Sequence, residues 1–490
     1  MKPQESVSRS ERMGREWWVL VSVGVGTFMS ALDSSVVNTV LPVMVRSLGN
    51  NVPTLEWVVT IYMLVVSGLL LSFGRLGDLR GHKRYYVFGF SIFILSSALC
   101  GLAPTAGVLI LFRVFQGIGA AFLFANAPAI LTKNYPASRR GEVLGLQASM
   151  TYLGLTAGPS LGGWLTGLFG WRVIFFINVP VGLLALALCQ RFIPDDSTSS
   201  ESHQFDLAGS LTWTSGLAAL LLVLNRGHAY GWGSPRTLSL LAASALFLAA
   251  FVIIEAKVPH PMLDLSLFLR RPFSVATASS VMNYTCVYSI VFLMPFYLIQ
   301  GRGYSPARAG LVLTIPSLTR AVGSPLFGIL SDKVGTRGPS TLGMALLAGG
   351  LVLLSTLGGQ SALKDIIVAL LVAGLGAGMF VSPNTSALMG SAPRHQQGIA
   401  AGVMATARNV GMAMGVGMAG ALFTTVLARA PQNDAGSALF QAIGAGFLGG
   451  AGVAVAGTLV CAAAGPMKRE TEEDVPAPEV GAKADLERGA

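Results

Sequence analysis

Read from end to end, the chain breaks into about fourteen apolar segments, each near the ~20 residues that cross a bilayer as one helix. This feature limits the fold more than any other. Inside lipid the backbone must satisfy its own hydrogen bonds, and a helix does so within one segment. Charged residues make up only 11% of the chain and hydrophobic residues 52%. A soluble domain carries about 25% charge, so this chain cannot cover itself with charge and its solvent is lipid. The fold class expected is all-α integral membrane.

The formal net charge of +10 could suggest nucleic acid, but its distribution argues otherwise. With the N-terminus placed in the cytoplasm, Lys and Arg in the inner segments far outnumber those in the outer loops. That is the positive-inside pattern, and it predicts a multi-pass protein of the cytoplasmic membrane with both termini inside. Residues 1–16 form a polar cytoplasmic segment, followed by an apolar stretch too long for a cleavable signal. Residues 464–490 are charged and rich in Glu, Ala and Pro, and read as a disordered tail. Cys100, Cys189, Cys286 and Cys461 all fall in apolar segments without metal-ligand spacing and read as small buried hydrophobes. No metal site is expected.

An octapeptide repeats. Gly74-Arg75-Leu76-Gly77-Asp78-Leu79-Arg80-Gly81 returns as Gly328-Ile329-Leu330-Ser331-Asp332-Lys333-Val334-Gly335, with Gly74, Leu76, Asp78 and Gly81 matched at one constant offset. Each copy is expected in a short cytoplasmic loop after the second span of a six-span set, the parallel repeat of a two-bundle transporter. Six spans need roughly 200 residues, so the offset leaves roughly 50 for one extra hairpin. Residues 206–256 supply it. The division expected is an N-terminal six-helix bundle over 17–193, a linker with the inserted two-helix hairpin over 194–257, and a C-terminal six-helix bundle over 258–463.

Within the fifth apolar segment, Gly154, Gly158 and Gly162 recur every four residues and line one helical face. Such a face lets another helix approach to backbone contact in lipid. Pro159 removes a backbone donor and is expected to bend the helix. A smooth bent helix suits a protein whose halves rock against each other.

These residues carry a family resemblance. Gly154–Gly163 resembles the antiporter motif of major facilitator superfamily exporters. Gly74–Arg84 resembles that family's loop between spans two and three, departing at Leu79 and His82 while Arg80, Lys83 and Arg84 keep it basic. Leu32–Pro42, Trp57–Tyr62 and Trp171–Pro180 match further signatures in the right order. The chain is thus similar to 14-span drug:proton antiporters. The resemblance implies the major facilitator fold, two six-helix bundles plus two inserted transmembrane helices. It also implies that Gly74, Asp78, Gly81, Arg84 and Asp332 belong to a latch on the cytoplasmic side.

Asp33 is the one acid expected well inside a span, with Ser30, Ser34 and Asn38 on the same broad face. An intramembrane acid costs ~2.5–3.5 kcal/mol and is functional by default. Lipid favours its neutral form and a nearby guanidinium its charged form. Arg113 lies at an overlapping depth on the fourth span, in a run that resembles the family's Arg-x-x-Gln-Gly-x-Gly motif. Gln116 and Phe124 share its face. Asp33 is read as the proton-coupling acid, tuned by Arg113. Arg320 and Arg408 lie near mid-membrane in the second half, where they bias a cavity wall positive. Asn126, Gln147, Asn178, Asn283 and Asn384, with Tyr284 and Tyr288, are further cavity candidates.

No phosphate-binding loop, zinc-protease motif or nucleophile elbow occurs, so neither ATP nor enzymatic chemistry is indicated. The function expected is a proton-coupled antiporter, without cofactor and monomeric, exporting amphipathic small molecules across the cytoplasmic membrane. Its partners are protons, the substrate and the bilayer, and not nucleic acid. One intramembrane acid opposed by arginines predicts neutral, zwitterionic or monocationic substrates. Dications would need a second acid, such as Glu142 or Glu255. Export of a self-made metabolite or antibiotic, or import by symport, stand as alternatives.

Overall fold

The structure is a computed structural model that describes residues 9–49, 52–195, 205–231, 233–259, 261–429 and 435–463. Residues 1–8 and the tail 464–490 lie outside it, as do the side chains of Asn38 and Pro159. The first half holds α1 (Arg9–Leu48), α2 (Val52–Arg80), α3 (His82–Leu102), α4 (Ala106–Asn134) and α5 (Arg140–Phe169). Its sixth span is made of the short α6 (Val173–Phe176) and α7 (Asn178–Phe192). The inserted hairpin is α8 (Leu207–Tyr230) and α9 (Pro235–Glu255). The second half holds α10 (Arg271–Pro295), which runs on into a π-helical turn, Phe296–Gly301. It continues through α11 (Pro306–Val334), α12 (Arg337–Ser355), α13 (Leu363–Ser391), α14 (Gln397–Arg429) and α15 (Ala435–Ala462).

Among the described residues, thirteen helices are long and apolar enough to cross a membrane, and α5 runs beside them over 30 residues. The architecture is all-helical, as expected, and it points large apolar side chains outward: Leu246 and Leu459 are each 68% exposed. In water that would be a liability; against lipid it is the favourable arrangement. Local signals set the helix starts. Thr105, Asp206 and Ser234 each accept a backbone N–H three residues on, which satisfies a donor the helix cannot.

The two octapeptides occupy equivalent places. Most of each copy is not a loop but the last turns of a helix, α2 for the first and α11 for the second. Only Gly81 and Gly335 leave the helix, at φ of 98° and 86°, where a side chain would be strained. The chain then turns straight into α3 or towards α12. Both copies lie on one face of the molecule, called here the repeat face. The start of α1 lies there too, since Tyr135 Oη donates to Glu16 O at 2.6 Å just past α4.

The glycine face of α5 packs against α1. A Cβ at 154 would lie 2.6 Å from Phe28 O, one at 158 would fall on the Ser35 hydroxyl, and one at 162 on Val36 Cγ2. The close approach expected from the spacing is therefore present, but inside one half and not between the halves. The seam between halves uses other faces. Along α5 and α11, Cβ atoms at 141 and 145 would strike Gly328 O and Ser324 O, and Ser149 Oγ donates to Ala321 O. Along α2 and α14, Gly74 and Gly398 touch backbone to backbone.

Candidate functional site

Asp33, halfway along α1, is 1% exposed and surrounded by donors. Its Oδ2 accepts from Arg113 Nη1 at 2.7 Å, and its Oδ1 from Gln116 Nε2 at 3.0 Å and Asn178 Nδ2 at 2.9 Å. Arg113 has no exposed surface. Its Nε donates to Val58 O at 3.0 Å, and Nη1 also to Gln116 Oε1 at 2.6 Å. Its guanidinium carbon sits 4.0 Å from the centre of the Tyr62 ring. Ser97 Oγ accepts from Gln116 at 2.6 Å and from Asn178 at 3.3 Å. The network ties α1, α3, α4 and α7 together and rests on the backbone of α2. Removing one member of such a buried pair typically costs 3–5 kcal/mol, because the other charge is left uncompensated. Within it, Arg113 Nη2 and the Tyr62 hydroxyl have no hydrogen-bond partner among the described residues.

Between the halves lies a cavity of about 170 Å³. Its wall takes Ser34, Tyr62, Ser67, Phe124, Gln147 and Tyr152 from the first half. Ser280, Tyr284, Tyr288, Arg320, Arg408 and Asn409 come from the second, with Met63, Met404 and Met412 among the apolar lining. On α5 the lining positions 144, 147, 148, 151, 152 and 155 form one helical stripe, spaced at i, i+3, i+4 and i+7. Each arginine reaches across the seam to a ring of the opposite half. Arg320 lies 5.1 Å from the Tyr152 centroid and Arg408 5.3 Å from that of Phe124.

The sequence-predicted residues divide three ways. Ser34, Phe124, Gln147, Tyr284, Tyr288 and Arg408 line the cavity. Asp33, Arg113, Gln116 and Asn178 form the buried network behind it, and among the described residues Tyr62 alone belongs to both. The remaining candidates are outside the wall. Ser30 is fully buried without a hydroxyl partner among the described residues. Asn283 donates to Met344 Sδ, and Asn384 donates to Ser280 Oγ and Ala276 O. Asn126 bonds His82 Nδ1 at 2.7 Å, towards the repeat face. Asn38's side chain is outside the described residues.

The expectation of an acid in the cavity beside arginines therefore needs correction. Among the described residues no carboxylate lines the wall. Arg113 and Asp33 neutralise each other behind it, which leaves Arg320 and Arg408. Glu142 is held by Arg139 at 2.8 Å and Glu255 by Leu263 N–H at 3.0 Å, both away from the cavity. Arg320 lines the wall with Arg408, as the sequence reading expected of the pair, whereas Tyr152, Ser67, Ser280 and Asn409 are wall residues that reading did not single out. The α5 stripe was the available signal for Tyr152.

On the repeat face two carboxylates bridge the halves. Asp78, on α2, accepts the N–H groups of Gly398 and Ile399 at 2.8 Å each, at the start of α14. Asp332, on α11, accepts those of Gly141 and Glu142 at 2.9 and 3.0 Å, at the start of α5. Each half thus grips a helix N-terminus of the other, where unpaired N–H groups and the helix dipole favour an anion. His82 Nε2 lies 3.3 Å from Asp78 Oδ1, and Ser382 Oγ donates to Gly141 O at 2.6 Å. Arg84 is exposed on the same face.

Residues 23–416 match the model of the Major Facilitator Superfamily. The chain belongs to the major facilitator superfamily. As a member it is a multi-pass membrane transporter and not an enzyme. It is 35% identical to the riboflavin transporter RibZ of Clostridioides difficile, covering 85% of this chain and 90% of that protein. It is 34% identical to the multidrug resistance protein Stp of Mycobacterium tuberculosis, covering 83% and 76%. The tetracenomycin C resistance and export protein of Streptomyces glaucescens is 31% identical, covering 84% and 77%. The fold superposes on the human organic anion transporter MFSD10 with a TM-score of 0.66 at 16% identity, covering 91% of this chain and 99% of that one.

Proposed function

We propose that this major facilitator protein is a proton-coupled antiporter that exports amphipathic small molecules by alternating access. The observation that carries the reading is the Asp33–Arg113 pair, sealed 2.7 Å apart behind a cavity and joined to its wall through Tyr62. In this arrangement the guanidinium is hydrogen-bonded to the Asp33 carboxyl group. A displacement of Arg113, transmitted by Tyr62 as the cavity fills or empties, removes that support and lets the acid bind a proton. Opening of the cavity to the other side and return of Arg113 then expels the proton. Arg113 keeps its own proton throughout and works as a movable charge.

The repeat face is assigned to the cytoplasm, on the distribution of Lys and Arg. The Asp78 and Asp332 clamps then close the cytoplasmic entrance. The names of the relatives, for multidrug resistance and for resistance and export of an antibiotic, support export. The riboflavin transporter relative favours a second reading, movement of a cellular metabolite by the same machinery.

The test uses inverted vesicles energised with a proton gradient and the compound best expelled in a growth-inhibition panel. Adding that compound is expected to release protons from vesicles carrying the native protein. Asp33→Asn is expected to insert normally and abolish this release. Undiminished proton flux in Asp33→Asn would remove the acid from the coupling role.

A further inference from the structure

We propose that the cavity selects flat aromatic monoanions, with the anionic group bound by Arg320 and Arg408 and the ring held among Tyr62, Phe124 and Tyr152. This rests on the cavity being the transport site. Three observations lead to it. The wall holds two guanidinium groups and, among the described residues, no carboxylate. No carboxylate of the described residues lies within ion-pair distance of either. Both arginines are held by means that leave charge unspent: Arg320 Nε donates to Pro316 O at 3.1 Å, and each guanidinium stands over an aromatic ring.

A guanidinium stacked on a ring keeps its in-plane N–H donors for a carboxylate, a phenolate or an ionised imide. Two positive groups in a low-dielectric pocket without a counter-ion are unfavourable, and an anionic ligand offsets that cost. A cation meets the reverse: two like charges and no partner. Beside short polar and aliphatic residues the wall carries tyrosine, phenylalanine and methionine side chains, broad faces that suit a planar ring and adapt to its outline. Since each arginine contacts a ring of the opposite half, an anion bound to both would bear on the seam that must open.

The experiment uses the full-length protein in nanodiscs and three near-isosteric probes: naphthoate, naphthamide and naphthylmethylammonium. Naphthoate is expected to bind on the order of tenfold or more tighter than naphthamide, as a charge-assisted pair would give, with the ammonium weakest. In the Arg320→Gln, Arg408→Gln double variant the naphthoate preference is expected to vanish and ammonium binding to strengthen. The Arg320→Lys, Arg408→Lys variant retains charge and is expected to keep a reduced preference, which serves if the neutral variant does not fold. Equal or tighter binding of naphthamide or the ammonium by the native protein overturns the proposal, as does equal weakening of all three probes in the Gln variant. Thr151→Trp fills the cavity; if that variant still transports the panel compound, the reading of the cavity as the transport site fails instead.

Discussion

Arg113 makes four interactions that a lysine cannot reproduce together. It bonds Val58 O through Nε, Asp33 and Gln116 through Nη1, and lays its plane 4.0 Å from the Tyr62 centroid. An ammonium keeps the charge but loses the planar fork and the stack. Arg113→Lys is therefore expected to express and insert, yet to transport at least about tenfold more slowly, since more than 1.4 kcal/mol of positioning is lost. Wild-type turnover of the panel compound would show that charge alone suffices. The pairing itself was legible: an acid and an arginine at overlapping depths on antiparallel spans. The third and fourth partners were not. Asn178 and Ser97 look like any polar residues of a span, and only three-dimensional packing brings Asn178 onto the Asp33 carboxylate and Ser97 onto the amides of Gln116 and Asn178. Asn126 shows the converse. Its amide looked equally suited to a cavity, but it sits within reach of His82 and opposite Gly77, where a side chain would collide with it. It supports the Asp78 clamp from behind.

At the scale of helices, the spacing of glycines was readable but not their partner. A period of four defines a face; which helix covers that face depends on the fold. That partner is α1, and the contact is tight enough to test. A methyl at 158 would fall on Ser35 Oγ and lie 2.9 Å from Ser35 Cβ. Overpacking of this kind typically costs 1–3 kcal/mol, so Gly158→Ala is expected to lower the melting temperature in detergent and reduce transport. Ser35→Gly in the same molecule removes both clashing atoms and should recover most of the loss. Failure of the second change to help would mean that α1 has no part in the defect. The clamps offer a second test. Asp78→Asn and Asp332→Asn remove an anion from a helix N-terminus, worth about 0.3–2 kcal/mol each. Together they should raise the share of molecules open at the repeat face several-fold. The four native cysteines described are all buried, which lowers background. Labelling of Leu144→Cys, on the cavity wall, should quicken from that face. An unchanged labelling rate would sink the clamp assignment.

The inserted hairpin poses a question for the whole molecule, because it lies over the seam between α2 and α14. Its anchors are unequal. Towards α2 it makes polar bonds: Thr214 Oγ1 to Gly68 O at 3.0 Å, Ser210 to Ser72 at 2.7 Å, and an ion pair of Arg226 with Glu56 at 2.9 Å. Towards α14 the contact is apolar, with Leu217 and Leu221 in one cluster with Leu64 and Ala413. Directional bonds fix a register, whereas an apolar face can slide with little change in free energy. The hairpin is thus expected to travel with the first half while α14 moves beneath it. Segment lengths and the repeat offset told where the hairpin is inserted, but not this, since both faces of α8 carry leucines. Two disulfide cross-links separate the cases. Joining Ser72→Cys to Ser210→Cys is expected to leave transport largely intact, because those residues move as one body. Joining Leu217→Cys to Ala413→Cys is expected to stop it, and reduction should restore it. If the first cross-link stops transport and the second does not, the hairpin belongs to the moving body of the second half, and the polar contacts on α2 must break in every cycle.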